Sequence, residues 1–413
     1  MTEQLNVPKL RFNEFEGDWT KSKLGDIGKV KMCKRIFSSQ TTDAGDIPFF
    51  KIGTFGKEPD AFISSDLYKE FKAKYSFPNV GDILMSASGT LGRTVVYDGT
   101  PSYFQDSNIV WLDNDESYTT NLFLGFIYQI VKYQSEGGTI QRLYNSIISS
   151  TVYYNPQLPE QQKIASFLSK VDEKIGLLSE KKDKLTEYKR GVMQQLFNGK
   201  WQEQDGQLTF VPPTLRFKAD DGSEFPDWEE KKFSEISNIK RGASPRPISD
   251  PKWFDGKSNV GWVRISDVTR SGRELLKTEQ YLTPEGISKS RLIPVGSMIM
   301  SICATIGKPI YTTFPVCIHD GFIVFSDLDA HKEYVYYYLS KIEKAWYRYG
   351  QPGSQVNLNS DIVGNEQIAF PCLEEQIRIA NFLSTIDQKV DLANAELNKA
   401  KEWKKGLLQQ MFV

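Results

Sequence analysis

Two stretches of the chain place apolar residues on alternating steps of four and three for far longer than a compact helix needs. In the first, Ile164, Leu168, Val171, Ile175, Leu178, Leu185, Val192 and Leu196 keep the rhythm, and Lys182 and Lys189 fill two of its positions. In the second, Ile379, Leu383, Ile386, Val390, Ala393, Leu397, Ala400, Leu407 and Met411 do the same, with Lys404 on one position. A seven-residue rhythm sustained this long predicts a coiled-coil seam rather than a helix lying on a globular core. Each stretch predicts a helix of about 39 residues, roughly 58 Å long. A lone helix of this kind would leave its apolar stripe in water at about 25 cal/mol per Å². Pairing of the two helices removes that cost and is expected over separate packing of each on its own domain.

The two stretches are copies. Residues 158–197 and 373–412 align without a gap at an offset of 215, and 18 of the 40 positions are identical. Glu160/Glu375, Gln161/Gln376, Asp172/Asp387, Lys174/Lys389 and Gly191/Gly406 are among them, and "KRGVMQQLF" closes one copy as "KKGLLQQMF" closes the other. An internal repeat outranks local signals in deciding a fold. The duplication extends upstream: "PKLRF" at 8–12 returns as "PTLRF" at 213–217, and "VGDILMSASGTLGR" at 80–93 returns as "VGSMIMSICATIGK" at 295–308. Short β-branched and aromatic runs such as "IPFFKIG", "RTVVYDG", "VGWVRIS" and "GFIVFSD" predict strands, and "TNLFLGFIYQIVKYQ" and "KEYVYYYLSKIEKAWYRY" predict helices. The expectation is an α/β (α+β) protein: a mixed head over 1–157, a long helix over 158–199, a polar linker over 200–214, a second head over 215–371 and a second helix over 372–413.

Composition narrows the class. A chain of 413 residues with 39% apolar and 13% aromatic content can fill more than one core. No apolar run approaches the roughly 18 residues of a membrane span, and the start "MTEQLNVPKL" lacks a secretory pattern. Four scattered cysteines and two histidines offer no zinc spacing. A reduced, cytoplasmic, metal-free protein is expected. The net charge of −1 is low for a nucleic-acid binder, so any such binding must use local basic patches or a partner's charge.

The order head, helix, head, helix, together with "LPEQQKIASFL" and "CLEEQIRIANFL" opening the helices, "GTLGR" and "ATIGK" in the heads, and "PKLRF…W" and "PTLRF…W" opening each half, resembles the specificity subunits of type I restriction–modification systems. Cys372 stands where a second proline is common, and "VYYNP" replaces the "IAFP" lead-in of the second half. The resemblance implies that each head reads one half of a split double-stranded DNA target, and that the helices pair antiparallel and set the unread gap. It further implies that two methyltransferase subunits and restriction subunits are partners. S-adenosylmethionine, ATP and Mg would belong to those partners, with no cofactor bound by this chain. A protein–protein adaptor with two binding heads on a coiled-coil spacer is the alternative, supported by the near-zero charge.

On this reading the DNA contacts should lie in turn-rich basic stretches. "KVKMCKR" offers Lys31, Lys34 and Arg35; "NIKRGASPRP" offers Lys240, Arg241 and Arg246. "GGTIQRLYN" supplies Gln141, Arg142 and Asn145, and "PGSQVNLN" supplies Gln355, Asn357 and Asn359, amides and a guanidinium of the kind that pair with purine edges. Arg93 and Lys308 end the "GTLGR" and "ATIGK" turns, and Lys51 and Arg264 sit among apolar neighbours in "FFKIG" and "WVRIS". Neither glycine turn fits a phosphate loop. "NPQL" and "VPPT" fail the methyltransferase base-clamp pattern, "PDWEEKK" is too compressed for a nuclease metal site, and no histidine has a nucleophile pattern around it. The chain is expected to be non-catalytic.

Overall fold

A computed structural model describes residues 6–133, 142–204, 207–349 and 358–413. The chain divides into two compact units, one of residues 1–179 with 394–413, the other of residues 180–393. Both 39-residue helices, Leu158–Leu196 and Leu373–Met411, are unbroken. Each unit therefore contains one head, the start of that head's own long helix and the end of the other. The first unit is built from two separate segments, and the second is continuous.

The first head holds two small sheets beside the antiparallel strand pair Thr20–Lys23 with Val152–Asn155. One orders Gly28–Lys31, Ile109–Asn114, Ile83–Ser86 and Thr94–Val96; the other places Ile47–Phe50 between Phe62–Ile63 and Tyr103–Phe104. In the second sheet Phe49 and Phe50 pair in parallel with Tyr103 and Phe104. The strand Ile83–Ser86 is buried along its whole length, as an apolar run between two packed faces should be. The helix Asn121–Ile130 starts at Thr120, whose hydroxyl accepts from the amide of Phe123, and it buries Phe123, Leu124, Phe126 and Ile127.

The second head repeats this plan. Its first sheet orders Asn238–Arg241, Phe322–Ser326, Met298–Ser301 and Pro309–Thr312, then adds Glu274–Leu275. The other sheet pairs Gly261–Val263 in parallel with Val316–Ile318 and carries Gln280–Tyr281 and Arg291–Ile293 on its edges. The "GTLGR" and "ATIGK" segments are hairpin connections, joining Ile83–Ser86 to Thr94–Val96 and Met298–Ser301 to Pro309–Thr312. The stretch expected as a plain linker holds a hairpin, Lys200–Gln204 with Gln207–Val211. Its sequence carries Asp-Gly between the strands, a pair favoured in two-residue turns. Phe210 stacks on Trp228 at 6.1 Å between ring centres, which gives the hairpin an apolar anchor.

The repeated pentapeptides explain why head and helix stay together. In the first unit the Leu10 amide donates to the Gln410 carbonyl at 2.8 Å, near the end of the second long helix. Arg11 reaches the start of the first helix, with Nε and Nη2 both 2.8 Å from the Glu160 carboxylate. Phe12 packs edge-on against Phe167 at 5.9 Å. The second unit makes the same clamp: Leu215 to the Gln195 carbonyl at 3.3 Å, Arg216 to Glu375 at 3.1 and 2.9 Å, and Phe217 against Phe382 at 5.5 Å. Trp19 and Trp228 add their indole N–H groups to Glu160 and Glu375 at 3.3 and 2.9 Å. Both carboxylates are buried, so each needs these charge-assisted donors. The hydrogen bond to its glutamate is the main reason each arginine is held above its ordinary value.

The neighbouring glutamines finish the joint. Gln161 Oε1 accepts from the Thr120 amide at 2.9 Å, and its Nε2 donates to the Pro156 and Tyr118 carbonyls. Gln376 does likewise with the His331 amide and the Pro371 carbonyl, both at 2.8 Å. Each Glu-Gln pair thus ties the first turn of a long helix to its own head.

Within each unit the two helix segments run antiparallel. Ile164, Leu168 and Val171 share a core with Leu407, Met411 and Phe412, while Val192, Leu196 and Phe197 share one with Ile379, Leu383 and Ile386. The seam is not a free-standing two-helix contact, because the same cores take in head residues such as Phe123 and Ile148 in one unit and Tyr334 and Val363 in the other. Two lysines on apolar beats are ion-paired across it. Lys404 lies 2.7 Å from Asp172, and Lys189 lies 2.5 Å from Asp387.

Glu375→Gln should leave the largely buried Arg216 with only the exposed Asp227, 4.0 Å away, as a close counter-charge and lower stability by about 3 kcal/mol. Urea unfolding of the whole chain measures this, and a loss well under 1 kcal/mol would show that the clamp contributes little.

Candidate nucleic-acid interface

Each head has a cleft at the C-terminal end of its parallel strand pair. In the first head the strand Tyr103–Phe104 runs into Gln105 and Asp106, and the cleft there has a volume of about 540 Å³. Arg35, Lys51 and Arg142 all line it. Arg35 Nε sits 2.8 Å from Asp106, and Arg142 Nη2 donates to the Ser107 carbonyl at 3.1 Å. Ser107 has a φ of 61°, a left-handed conformation uncommon for serine and a mark of a turn held by its surroundings. Lys51 lies one residue past the strand Ile47–Phe50, not within it, and pairs with Asp60 at 2.9 Å.

The second head builds the matching cleft, of about 400 Å³, where Val316–Ile318 runs into His319 and Asp320. Arg246 and Arg264 line it. The loop after Asn238–Arg241 is stitched to Asp320: Arg241 Nε donates to its carbonyl at 2.6 Å, Ser244 Oγ lies 3.0 Å from one carboxylate oxygen and Arg246 3.2 Å from the other. Gly242 permits this, because a Cβ there would lie 2.0 Å from the His319 carbonyl oxygen. Arg264 follows the strand Gly261–Val263, occupies the N-cap of Ile265–Arg270 and pairs with Glu279 at 3.3 Å.

Other candidates fall elsewhere. Lys31 is paired with Asp113 at 2.6 Å, and Lys34 lies over the Tyr75 ring at 5.2 Å. Arg93 donates to the Phe55 carbonyl at 2.9 Å. Lys308 spends its three donors on the carbonyls of Val268, Thr269 and Ser271, at 2.9, 3.4 and 2.7 Å, and burial lowers its pKa. A fully committed ammonium is a staple of the head rather than a phosphate ligand. Asn145 begins the helix Asn145–Ser150 at the surface; Asn359 caps Ser360–Asn365 by accepting from the Ile362 amide at 2.8 Å. Lys240 lines a separate cleft with Arg291 and Lys332. Gln141, Gln355 and Asn357 lie outside the described residues.

Gln105, Asp106, His319 and Asp320 were missed by the sequence reading. The signal for them was available: "YFQD" and "CIHD" both place an aspartate two residues past a buried strand. His319 is wedged between Trp262 and Phe322, with ring centres 5.9 and 4.8 Å away, and its Nδ1 accepts from the Gly321 amide at 2.8 Å. Burial lowers its pKa, although Asp320 pulls the other way, and the acceptor role of Nδ1 agrees with a neutral ring. Burial also pushes the thiols of Cys33 and Cys317 up to about 12 and about 11, so neither supplies a thiolate near neutrality. Among the described residues no group of three or more His, Cys, Asp or Glu side chains is placed to hold a metal ion, and no helix is long and apolar enough to cross a membrane.

A duplicated α/β head carrying a cation-lined cleft, each head clamped to a long helix, defines a class of paired recognition modules. The family model for the type I restriction modification DNA specificity domain matches residues 16–187 and again 226–402, and the chain belongs to that family. A putative type I restriction enzyme specificity subunit of Haemophilus influenzae is 53% identical over 178 residues, 41% of this chain and 46% of that protein, so that match spans less than half of the relative's length. A putative specificity subunit of the type I enzyme MjaX of Methanocaldococcus jannaschii is 24% identical over 98% of this chain and 95% of its own. The crystal structure of a type I S subunit from M. genitalium shares the fold, with a TM-score of 0.56 at 16% identity over 98% of this chain and 99% of that one.

Two predictions concern the interface. Gly242→Ala should unseat the loop over Asp320, and amide exchange at Ala243, whose N–H bonds the Ile318 carbonyl, should quicken markedly while the first head is unchanged. Unaltered exchange at Ala243 would contradict the packing. The second prediction concerns pH. Both His319 and His331 are held below their ordinary value by burial, so the folded chain takes up their protons less readily than the unfolded chain. Their share of stability is complete above about pH 6.5 and is lost as pH falls below it. A His319→Gln, His331→Gln double variant should show a flatter decline in urea stability between pH 7 and 5.5; an identical decline would contradict this.

Proposed function

We propose that this chain is the non-catalytic DNA-reading subunit of a type I restriction–modification enzyme. Each head reads one half of a split double-stranded target, and the paired helices set the unread gap and dock two methyltransferase subunits. S-adenosylmethionine, ATP and Mg belong to the methyltransferase and restriction subunits. The observation that carries this reading is the pair of clefts: in each an aspartate two residues past the parallel strand pairs with an arginine, Arg35 or Arg246, but the linings differ. Two copies of one scaffold with divergent linings suit two unlike sequences read by one geometry. Arg35, Lys51, Arg142, Arg246 and Arg264 are the contacts favoured, through phosphates or guanine edges.

The docking proposal rests on the outer faces of the helices. Leu177 and Leu392 are 60% and 59% exposed, and Tyr188 and Trp403 are 54% and 48% exposed. These are equivalent positions of the repeat. Exposed apolar residues recurring in both copies suit two identical partners, one per copy.

The near-neutral charge of the chain and the acids beside Arg35, Lys51, Arg246 and Arg264 suit a subunit whose partners supply much of the positive clamp. The isolated chain should bind DNA weakly and lose that binding steeply with salt. Methylation mapping of a genome carrying this chain with a partner methyltransferase should give one split motif, and exchange of one head should change one half of it. A motif unaffected by head exchange would contradict the proposal and favour an adaptor.

A further inference from the structure

The two clefts share their aspartate, but the residue before it differs, and in both heads that residue is held in the same way. Gln105 lines the first cleft, and its Oε1 accepts the main-chain N–H of Ile52 at 2.9 Å. A peptide N–H can only meet an acceptor, so this contact fixes which end of the amide is oxygen. The Nε2 group, with two donor hydrogens, has no protein partner among the described residues. In the second cleft His319 Nδ1 accepts the main-chain N–H of Gly321 at 2.8 Å. A neutral imidazole that accepts at Nδ1 carries its proton at Nε2. The flanking Trp262 and Phe322 rings hold it in place.

In each head, then, a main-chain amide blocks the acceptor end of an ambivalent side chain and leaves only a donor for the cleft. A free glutamine can offer both a donor and an acceptor and so suits adenine, whereas a donor-only group suits the acceptors of a major-groove edge: guanine O6 and N7, adenine N7 or thymine O4. The two hydrogens on Gln105 match the paired acceptors of guanine; the single N–H on His319 matches one acceptor. Asp106 and Asp320, tied to Arg35 and Arg246, form the common frame that positions them.

We propose that Gln105 and His319 are the specificity-determining residues of the two heads, each reading an acceptor-bearing base edge with a donor locked by its own main chain. This rests on the DNA-reading function proposed above. Within it, the inference assigns one position of each half-site to one side chain.

The test uses the full chain assembled with its methyltransferase partner, and duplexes carrying the wild-type split target with each base pair permuted in turn. Gln105→Glu can still accept from Ile52 but turns the free end from donor to acceptor. It should reverse the preference at one position of the first head's half-site by about tenfold or more, toward a base presenting a donor such as cytosine N4. The second half-site should not change. His319→Phe keeps a ring between Trp262 and Phe322 but removes the donor, and should cost about tenfold in discrimination at one position of the other half-site only. Wild-type preferences at every position in both variants would overturn the assignment. So would loss of assembly in both, which would mark the two side chains as structural. A wild-type complex that binds without a split target would overturn the DNA-reading function itself, a result distinguishable from either.

Discussion

In each compact unit an aspartate on one long helix meets a lysine on the other, and the rest of the molecule depends on that antiparallel register. Asp172 with Lys404 and Lys189 with Asp387 are the same contact made twice, because the helices are copies and an antiparallel pair of copies presents each contact from both sides. A purely apolar heptad seam can slip by one repeat at modest cost, whereas a lysine placed on an apolar beat is satisfied in one register only. In the second unit Asp387 also accepts from the Tyr337 hydroxyl at 2.8 Å, and Arg273 approaches it at 3.7 Å. That register contact is thus tied to the head as well as to the partner helix.

The pentapeptide clamp converts this register into head placement. Leu10 and Leu215 hold the end of one helix through the main chain, and Arg11 and Arg216 hold the start of the other through a buried carboxylate. One short segment therefore grips both helices in each unit. The Glu-Gln pair at each helix start serves the same end, since Gln161 and Gln376 cap the head helix that follows the sheets. The cleft residues sit on turns of these anchored sheets, so divergence of the linings need not disturb the joint.

The helices were legible because a heptad rhythm is local and their copies align without gaps. The mixed heads were legible as a class from short apolar runs between turn residues. Strand pairing was not, because partners such as Phe49 and Tyr103 are far apart in sequence and nothing local specifies them. The basic candidates divided for a similar reason: Arg35, Lys51 and Arg142 meet around one turn, while Lys308 looked equally available but is consumed by three carbonyls. "PKLRF" and "LPEQ" were visible as repeats, yet their chemistry appears only once Arg11 and Glu160 are brought together from 149 residues apart. The places of Gln105 and His319 were signalled by "YFQD" and "CIHD", but their polarity was not, since it is set by main-chain amides that the fold alone supplies. The hairpin after the first long helix went unread although the Asp-Gly pair between its strands was in plain view.

Zero-length carbodiimide cross-linking of the unmodified chain, followed by peptide mass spectrometry, tests the antiparallel register most directly. Amide links between Asp172 and Lys404 and between Lys189 and Asp387 are the expected products. Links from Asp172 to Lys389 and from Asp387 to Lys174, with neither expected pair formed, would mean that the helices run parallel and would contradict the account.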